Sequence, residues 1–99
     1  MNWGILGTAR IAETALPAIR ANKNNHVLAI ASRDLARGRQ FADKAKIPVA
    51  YGSYDELIAD SSLQAVYIPL PNSEHKDWTI KALQAGKHVL VEKPFALNG

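Results

Sequence analysis

The chain is 99 residues long, 47% apolar and 21% charged, with a formal net charge of +3; that is one small domain with a single core and no low-complexity segment. It has no cysteine, which excludes disulfides, thiolate metal sites and a cysteine nucleophile, and His26, His75 and His88 lack metal-ligand spacing, so no metal is expected. The longest apolar run, Val27–Ala31, cannot span a bilayer, Met1-Asn2-Trp3-Gly4 shows no secretory signal, and the mild charge comes with no nucleic-acid-binding signature, so a cytoplasmic protein with neither membrane nor nucleic-acid partner is expected.

The first predicted element is a strand at Trp3–Leu6, an apolar run ended at once by Gly7. Gly7-Thr8-Ala9-Arg10-Ile11-Ala12 follows and fits G-x-G-x-x-G/A with Ala9 at the second glycine. In that pattern the first glycine makes a tight turn, the second lets the backbone approach a pyrophosphate, and the third allows close helix–strand packing. The helix that follows, from about residue 9 to residue 22, offers free N–H groups and a partial positive charge to the phosphates. Strand–glycine–helix turns occur in many α/β proteins, but one placed after a first strand points to a dinucleotide. Ala9 departs from the pattern: its methyl either shifts the pyrophosphate outward or is accommodated as the smallest side chain. Pro17 inside the helix removes an N–H group, which predicts a kink or a restart.

The second strand is expected at Val27–Ala31 and ends in Ser32-Arg33, with Arg37 one helical turn on. A Rossmann unit that favours NAD places an acid roughly 20 or more residues after its glycines; here the groups are donors and cations. Arginine grips phosphate bidentately, so the expected cofactor is NADP, with NAD the alternative. Ser32 and Arg33 would hold the 2′-phosphate, and Arg37 would lie near adenine or phosphate. Asp34 would serve a ribose instead if the register slipped. Charge distribution agrees: residues 1–46 hold eight Lys/Arg against three acids, net +5, and residues 47–99 hold four against six, net −2. The competing reading of Arg33, Arg37 and the basic half is an ordinary solvated face.

A second helix is expected over residues 34–45, capped by Asp34, with Leu35, Phe41, Ala42 and Ala45 on one face and Gly38 permitting close packing. A weak third strand, Val49–Tyr51, precedes Ser53-x-x-Glu56, the capping box of a short helix. The fourth strand, Ala65–Ile68, leads into Pro69-Leu70-Pro71-Asn72-Ser73-Glu74-His75. That rigid loop either serves a site or simply ends a strand, and His75 is either part of the site or a packed helix residue. A fourth helix is read over residues 74–85, with Ser73 as N-cap, Gly86 as C′ residue and His75, Trp78, Thr79, Ala82 and Leu83 on one face. The fifth strand, His88–Val91, ends in Glu92-Lys93-Pro94. Glu92 and Lys93 are either a surface pair or, beside a nicotinamide, a means to hydrogen-bond the reacting oxygen of a substrate. Asn98 resembles the cap of a helix that the chain does not contain. None of the five strands alternates polar and apolar residues, which predicts a sheet covered on both faces. The β-α order with short links predicts an α/β fold with a doubly wound parallel sheet, whose ligands bind at the carboxyl ends of the strands.

Taken together, Trp3–Ala12, Ala31-Ser32-Arg33, Tyr67–His75 and Ala85–Pro94 resemble the Gfo/Idh/MocA oxidoreductase family over essentially the whole chain, in its dihydrodiol-dehydrogenase and glucose–fructose-oxidoreductase branch. The resemblance implies that residues 1–99 are an N-terminal dinucleotide-binding Rossmann domain, truncated before its last helix and strand, with the family's C-terminal substrate domain absent. It implies hydride transfer between a nicotinamide cofactor and a sugar, polyol or dihydrodiol-type substrate, the isolated chain being inactive. Pyrophosphate contacts are implied for Gly7, Thr8, Ala9, Arg10 and Ile11, and cofactor contacts for Pro69, Leu70, Asn72 and His75. Glu92 is implied near the nicotinamide ribose or carboxamide. Lys93 is implied as the active-site lysine, and Pro94 as a proline with a cis peptide bond. Sheet left exposed by the missing elements predicts a homo-oligomer. The alternative is a non-catalytic NADP-binding or assembly module.

Overall fold

The computed structural model describes residues 1–8, 10–70 and 72–90. In chain order it has β1 (Asn2–Leu6), α1 (Arg10–Arg20), β2 (His26–Ala31), α2 (Leu35–Ala45), β3 (Val49–Tyr51), α3 (Tyr54–Ile58), β4 (Ala65–Tyr67), α4 (Asn72–Gln84) and β5 (His88–Leu90). The five strands are parallel and ordered β3-β2-β1-β4-β5. The chain thus begins mid-sheet, winds outward through β2 and β3, and then returns past β1 to build the other half. β1 and β4 meet at the point where the winding reverses, which is where doubly wound sheets open a crevice at their carboxyl ends.

Period-2 alternation of the strand side chains divides the interior in two. Ile5, Ile30 and Tyr67 face α1 and α2 and pack with Leu16, Ile19, Phe41 and Ala42. Leu6, Ala29, Ala31, Val66 and Ile68 face the other way and pack with Tyr54, Leu57, Ile58 and Ala82 of α3 and α4. The central strands are covered on both faces as expected, but edge strands β3 and β5 are only half-buried or exposed along their length.

Two caps agree with the sequence. The Asp34 carboxylate accepts the Ala36 and Arg37 N–H groups at 3.0 and 3.4 Å, and Ser53 Oγ accepts the Glu56 N–H at 3.2 Å. Gly86 has a φ of +80° just past the end of α4, the left-handed conformation expected of a C′ residue. Four expectations are corrected. α1 does not restart at Pro17 but runs on through it; the next turn is intact, with Ala21 N–H on the Pro17 carbonyl at 2.9 Å, and Leu16 and Ile19 on either side are buried in the core. α4 takes in Asn72 and Ser73, so Ser73 is helical and not the cap; apolar periodicity starts only at His75, whereas helix bounds follow backbone hydrogen bonds. Leu83 is 57% exposed, because it is rotated about 100° from buried Ala82, away from the sheet. Leu35, at the start of α2, is 39% exposed, ahead of the turns that bury Gly38, Phe41 and Ala42. The calls on Ala9, Pro71, Glu92, Lys93, Pro94 with its cis bond, and Asn98 lie outside the described residues.

Candidate functional site

Gly7 leaves β1 with a φ of +107°, a conformation that costs glycine nothing and other residues a great deal. Its N–H donates to the Ala31 carbonyl at 2.8 Å, which ties the turn to the end of β2. A β-carbon at Gly7 would lie 3.1 Å from Leu70 Cδ2 and 3.9 Å from Tyr54 Oη. The turn after β1, the loop after β4 and the start of α3 therefore converge on one bare stretch of backbone. α1 begins at Arg10, so its unpaired N–H groups open at this same end of the sheet.

At the neighbouring strand end Ser32 is 5% exposed. Its N–H donates to the Tyr51 carbonyl at 3.0 Å, and its Oγ accepts the Asp34 N–H at 3.2 Å. Gly38 lies directly beneath, where a β-carbon would stand 3.1 Å from Ser32 Cβ. The carboxylate of Asp34 is turned onto its own helix as the cap. Arg37 projects from the first turn of α2 and is exposed.

Arg33 is the reaching side chain, 66% exposed. Its guanidinium lies over the Tyr54 ring, 5.4 Å from the centroid, and forms an ion pair with Glu74. Tyr54 in turn meets Trp78 edge-on, with centroids 5.1 Å apart and planes at 88°. Lys81 covers the Trp78 ring at 4.3 Å and stands 3.9 Å from Asp55. Sequence reasoning did not assign Tyr54, Glu74 or Trp78 to a site; the available signal was the position of Tyr54 and Glu74 at helix starts above carboxyl strand ends.

Pro69 and Leu70 are half-buried. His75 is half-buried too, with Nδ1 3.2 Å from Thr79 Oγ1 one turn along α4. Asn72 opens α4, as Arg10 and Ile11 open α1. The structure thus gathers Gly7, Ser32, Arg33 and Leu70 around Tyr54, and places His75 next to the partner of Arg33. An open groove of about 400 Å³ lined by Leu16, Pro17, Arg20, Phe41, Lys44 and Ala45 lies at the carboxyl ends of α1 and α2, hence at the opposite end of the sheet. Among the described residues no helix is long and apolar enough to cross a membrane.

Residues 1–98 match the model of an oxidoreductase family with an NAD-binding Rossmann fold. The chain is 55% identical over 99 residues to D-xylose 1-dehydrogenase (NADP(+)) 2 of Haloferax volcanii, covering 99% of this chain and 30% of the relative. It is 41% identical over 100 residues to trans-1,2-dihydrobenzene-1,2-diol dehydrogenase of Homo sapiens, with the same coverage of 99% and 30%. Among solved structures, KijD10, a 3-ketoreductase from Actinomadura kijaniata in complex with TDP-benzene and NADP, superposes with a TM-score of 0.86 at 41% identity, over 95% of this chain and 30% of that one. The chain spans about 30% of the length of the curated relatives it matches.

Proposed function

The chain belongs to the Gfo/Idh/MocA oxidoreductase family with its NAD-binding Rossmann fold, and on that premise we propose that it binds NADP(H) at the carboxyl ends of β1, β2 and β4, as the cofactor-binding part of an enzyme acting on sugars, polyols or dihydrodiols. The observation that carries the cofactor choice is at the end of β2. Ser32 and Arg33 stand where an NAD-selective unit has an acid, and the nearby acid, Asp34, is spent on capping α2. A carboxylate engaged that way does not compete for a ribose, while the planar guanidinium of Arg33 suits a 2′-phosphate. Relatives named as an NADP-dependent xylose dehydrogenase and as a ketoreductase with bound NADP support the same reading.

The residues fit such a group. Gly7, with its φ of +107° and a β-carbon position only 3.1 Å from Leu70 Cδ2, makes the tight turn that the first glycine of such a pattern supplies ahead of the pyrophosphate-binding helix start. Gly7, Thr8, Ala9, Arg10 and Ile11 would bind the pyrophosphate through backbone N–H groups and the start of α1. Ser32 and Arg33 would hold the 2′-phosphate, with Arg37 at its flank. Pro69, Leu70, Asn72 and His75 would wall the crevice toward the nicotinamide half. Glu92 would approach the nicotinamide ribose or carboxamide, Pro94 would follow the active-site lysine through a cis bond, and Lys93 would hydrogen-bond the substrate oxygen and favour its ionised form. The cofactor, when bound, supplies the hydride chemistry; the chain supplies position and electrostatics.

The test is a pair of titrations. NADPH should bind more tightly than NADH, and Arg33→Ala should weaken NADPH by about 10- to 100-fold, the loss of a charge-assisted contact of about 1.5–3 kcal/mol, with little change for NADH. Equal affinities for the two cofactors, or NADPH affinity unchanged in Arg33→Ala, would overturn the proposal.

A further inference from the structure

We propose that Glu74 sets the strength of cofactor selection: it is an internal anion that competes with the 2′-phosphate for Arg33. The inference rests on the NADP reading above. Arg33 follows β2, and Glu74 lies in the first turn of α4, which follows β4. In the sheet, β1 separates those two strands. The Arg33–Glu74 pair therefore reaches across the carboxyl end of β1, over the turn at Gly7. The guanidinium is drawn from the Ser32 side of the crevice toward the β4 side, and it rests there on Tyr54, which Trp78 of α4 backs edge-on. Two of the neighbouring charges are engaged elsewhere. Lys81 lies on Trp78 and faces Asp55, and the Asp34 carboxylate is committed to its helix.

A planar guanidinium presents its paired donors to one oxyanion at a time. A 2′-phosphate seated beside Ser32 and the carboxylate of Glu74 are then alternative partners for the same group. Removing the carboxylate should therefore strengthen binding of a 2′-phosphate and leave a ligand without one unaffected. Arg33 is 66% exposed and Glu74 30%, so the effect is that of an ion pair near the surface and modest.

The probes are adenosine 2′,5′-bisphosphate and ADP, titrated calorimetrically into the full chain. Glu74→Gln should tighten the bisphosphate about two- to five-fold and leave ADP unchanged. Glu74→Asp, one methylene shorter, should fall between wild type and Gln. In an Arg33→Ala background Glu74→Gln should have no effect, a coupling that a merely structural role for Glu74 does not produce. Weaker bisphosphate binding in Glu74→Gln, an equal gain for both probes, or a gain that survives in Arg33→Ala overturns the proposal. If the wild-type chain prefers neither probe, the NADP reading itself fails and Glu74 has no such role. If it prefers the bisphosphate and only the Glu74 variants depart from expectation, the cofactor reading stands alone.

Discussion

Gly7 answers to two separate constraints, and a substitution can tell them apart. Its φ of +107° is strained for any residue with a β-carbon, and that carbon would also press on Leu70 Cδ2 at 3.1 Å. Strained backbone at a single position costs on the order of 1–3 kcal/mol. Gly7→Ala should therefore lower the unfolding free energy by about that amount, read from urea denaturation, and weaken NADPH binding because the tight turn at Gly7 positions the start of α1 at the proposed pyrophosphate. Adding Leu70→Ala opens the space and leaves the backbone strained. The double variant should recover little of the lost stability, apart from the separate cost of truncating Leu70. Stability of Gly7→Ala within about 0.5 kcal/mol of wild type would mean that the turn relaxes, and that the glycine is not a structural requirement.

Where α3 hands the chain to β4, a polar knot holds the elements together at a distance from the candidate site. The Lys87 amine is buried and donates to the Asp60 and Leu63 carbonyls, both at 2.8 Å, so the residue before β5 anchors the turn that precedes β4. The Asp60 carboxylate accepts Ser62 N–H at 2.9 Å, Ser62 Oγ–H at 2.6 Å and Tyr51 Oη–H at 2.6 Å. Ser62 and Tyr51, helped by the charge of Lys87, hold Asp60 below the usual carboxylate range, while the hydrogen bond to Asp60 pushes the Tyr51 phenol up. The sign follows from linkage: an acid whose folded pKa is depressed adds stability above its unfolded value of about 3.9, and that stability is lost as pH falls through the folded value. Asp60→Asn should then be less stable than wild type near pH 7 by about 1 kcal/mol, the scale of one or two hydrogen bonds at a partly exposed carboxylate. The gap should close as pH falls below about 4. A stability difference that stays constant from pH 7 down to acid would show that the charge of Asp60 contributes nothing.

At the scale of the molecule, the fold was legible because its central strands are continuous apolar runs punctuated by glycine and proline, and Ile5, Ile30 and Tyr67 had only one way to be buried together. Local chemistry placed the caps at Asp34 and Ser53. Illegible features depended on contacts across the sheet. Nothing in the local pattern of α1 shows that flanking core residues carry the helix through Pro17, and no spacing rule joins Arg33 to Glu74, which strand order alone brings face to face. The same holds for charge. The excess of +5 in residues 1–46 becomes, once folded, the property of β1, β2, α1 and α2, the half of the sheet that carries Gly7 and Ser32. A field of that kind favours the more anionic of two cofactors and is screened by salt. From about 0.01 M to 1 M salt the screening length falls from about 30 to about 3 Å, so the preference for NADPH over NADH should shrink by about threefold or more, and Arg33→Ala should flatten the dependence. A preference for NADPH that does not change with salt would instead place selection entirely in the close contacts of Ser32 and Arg33, with the basic half of the chain no more than a solvated surface.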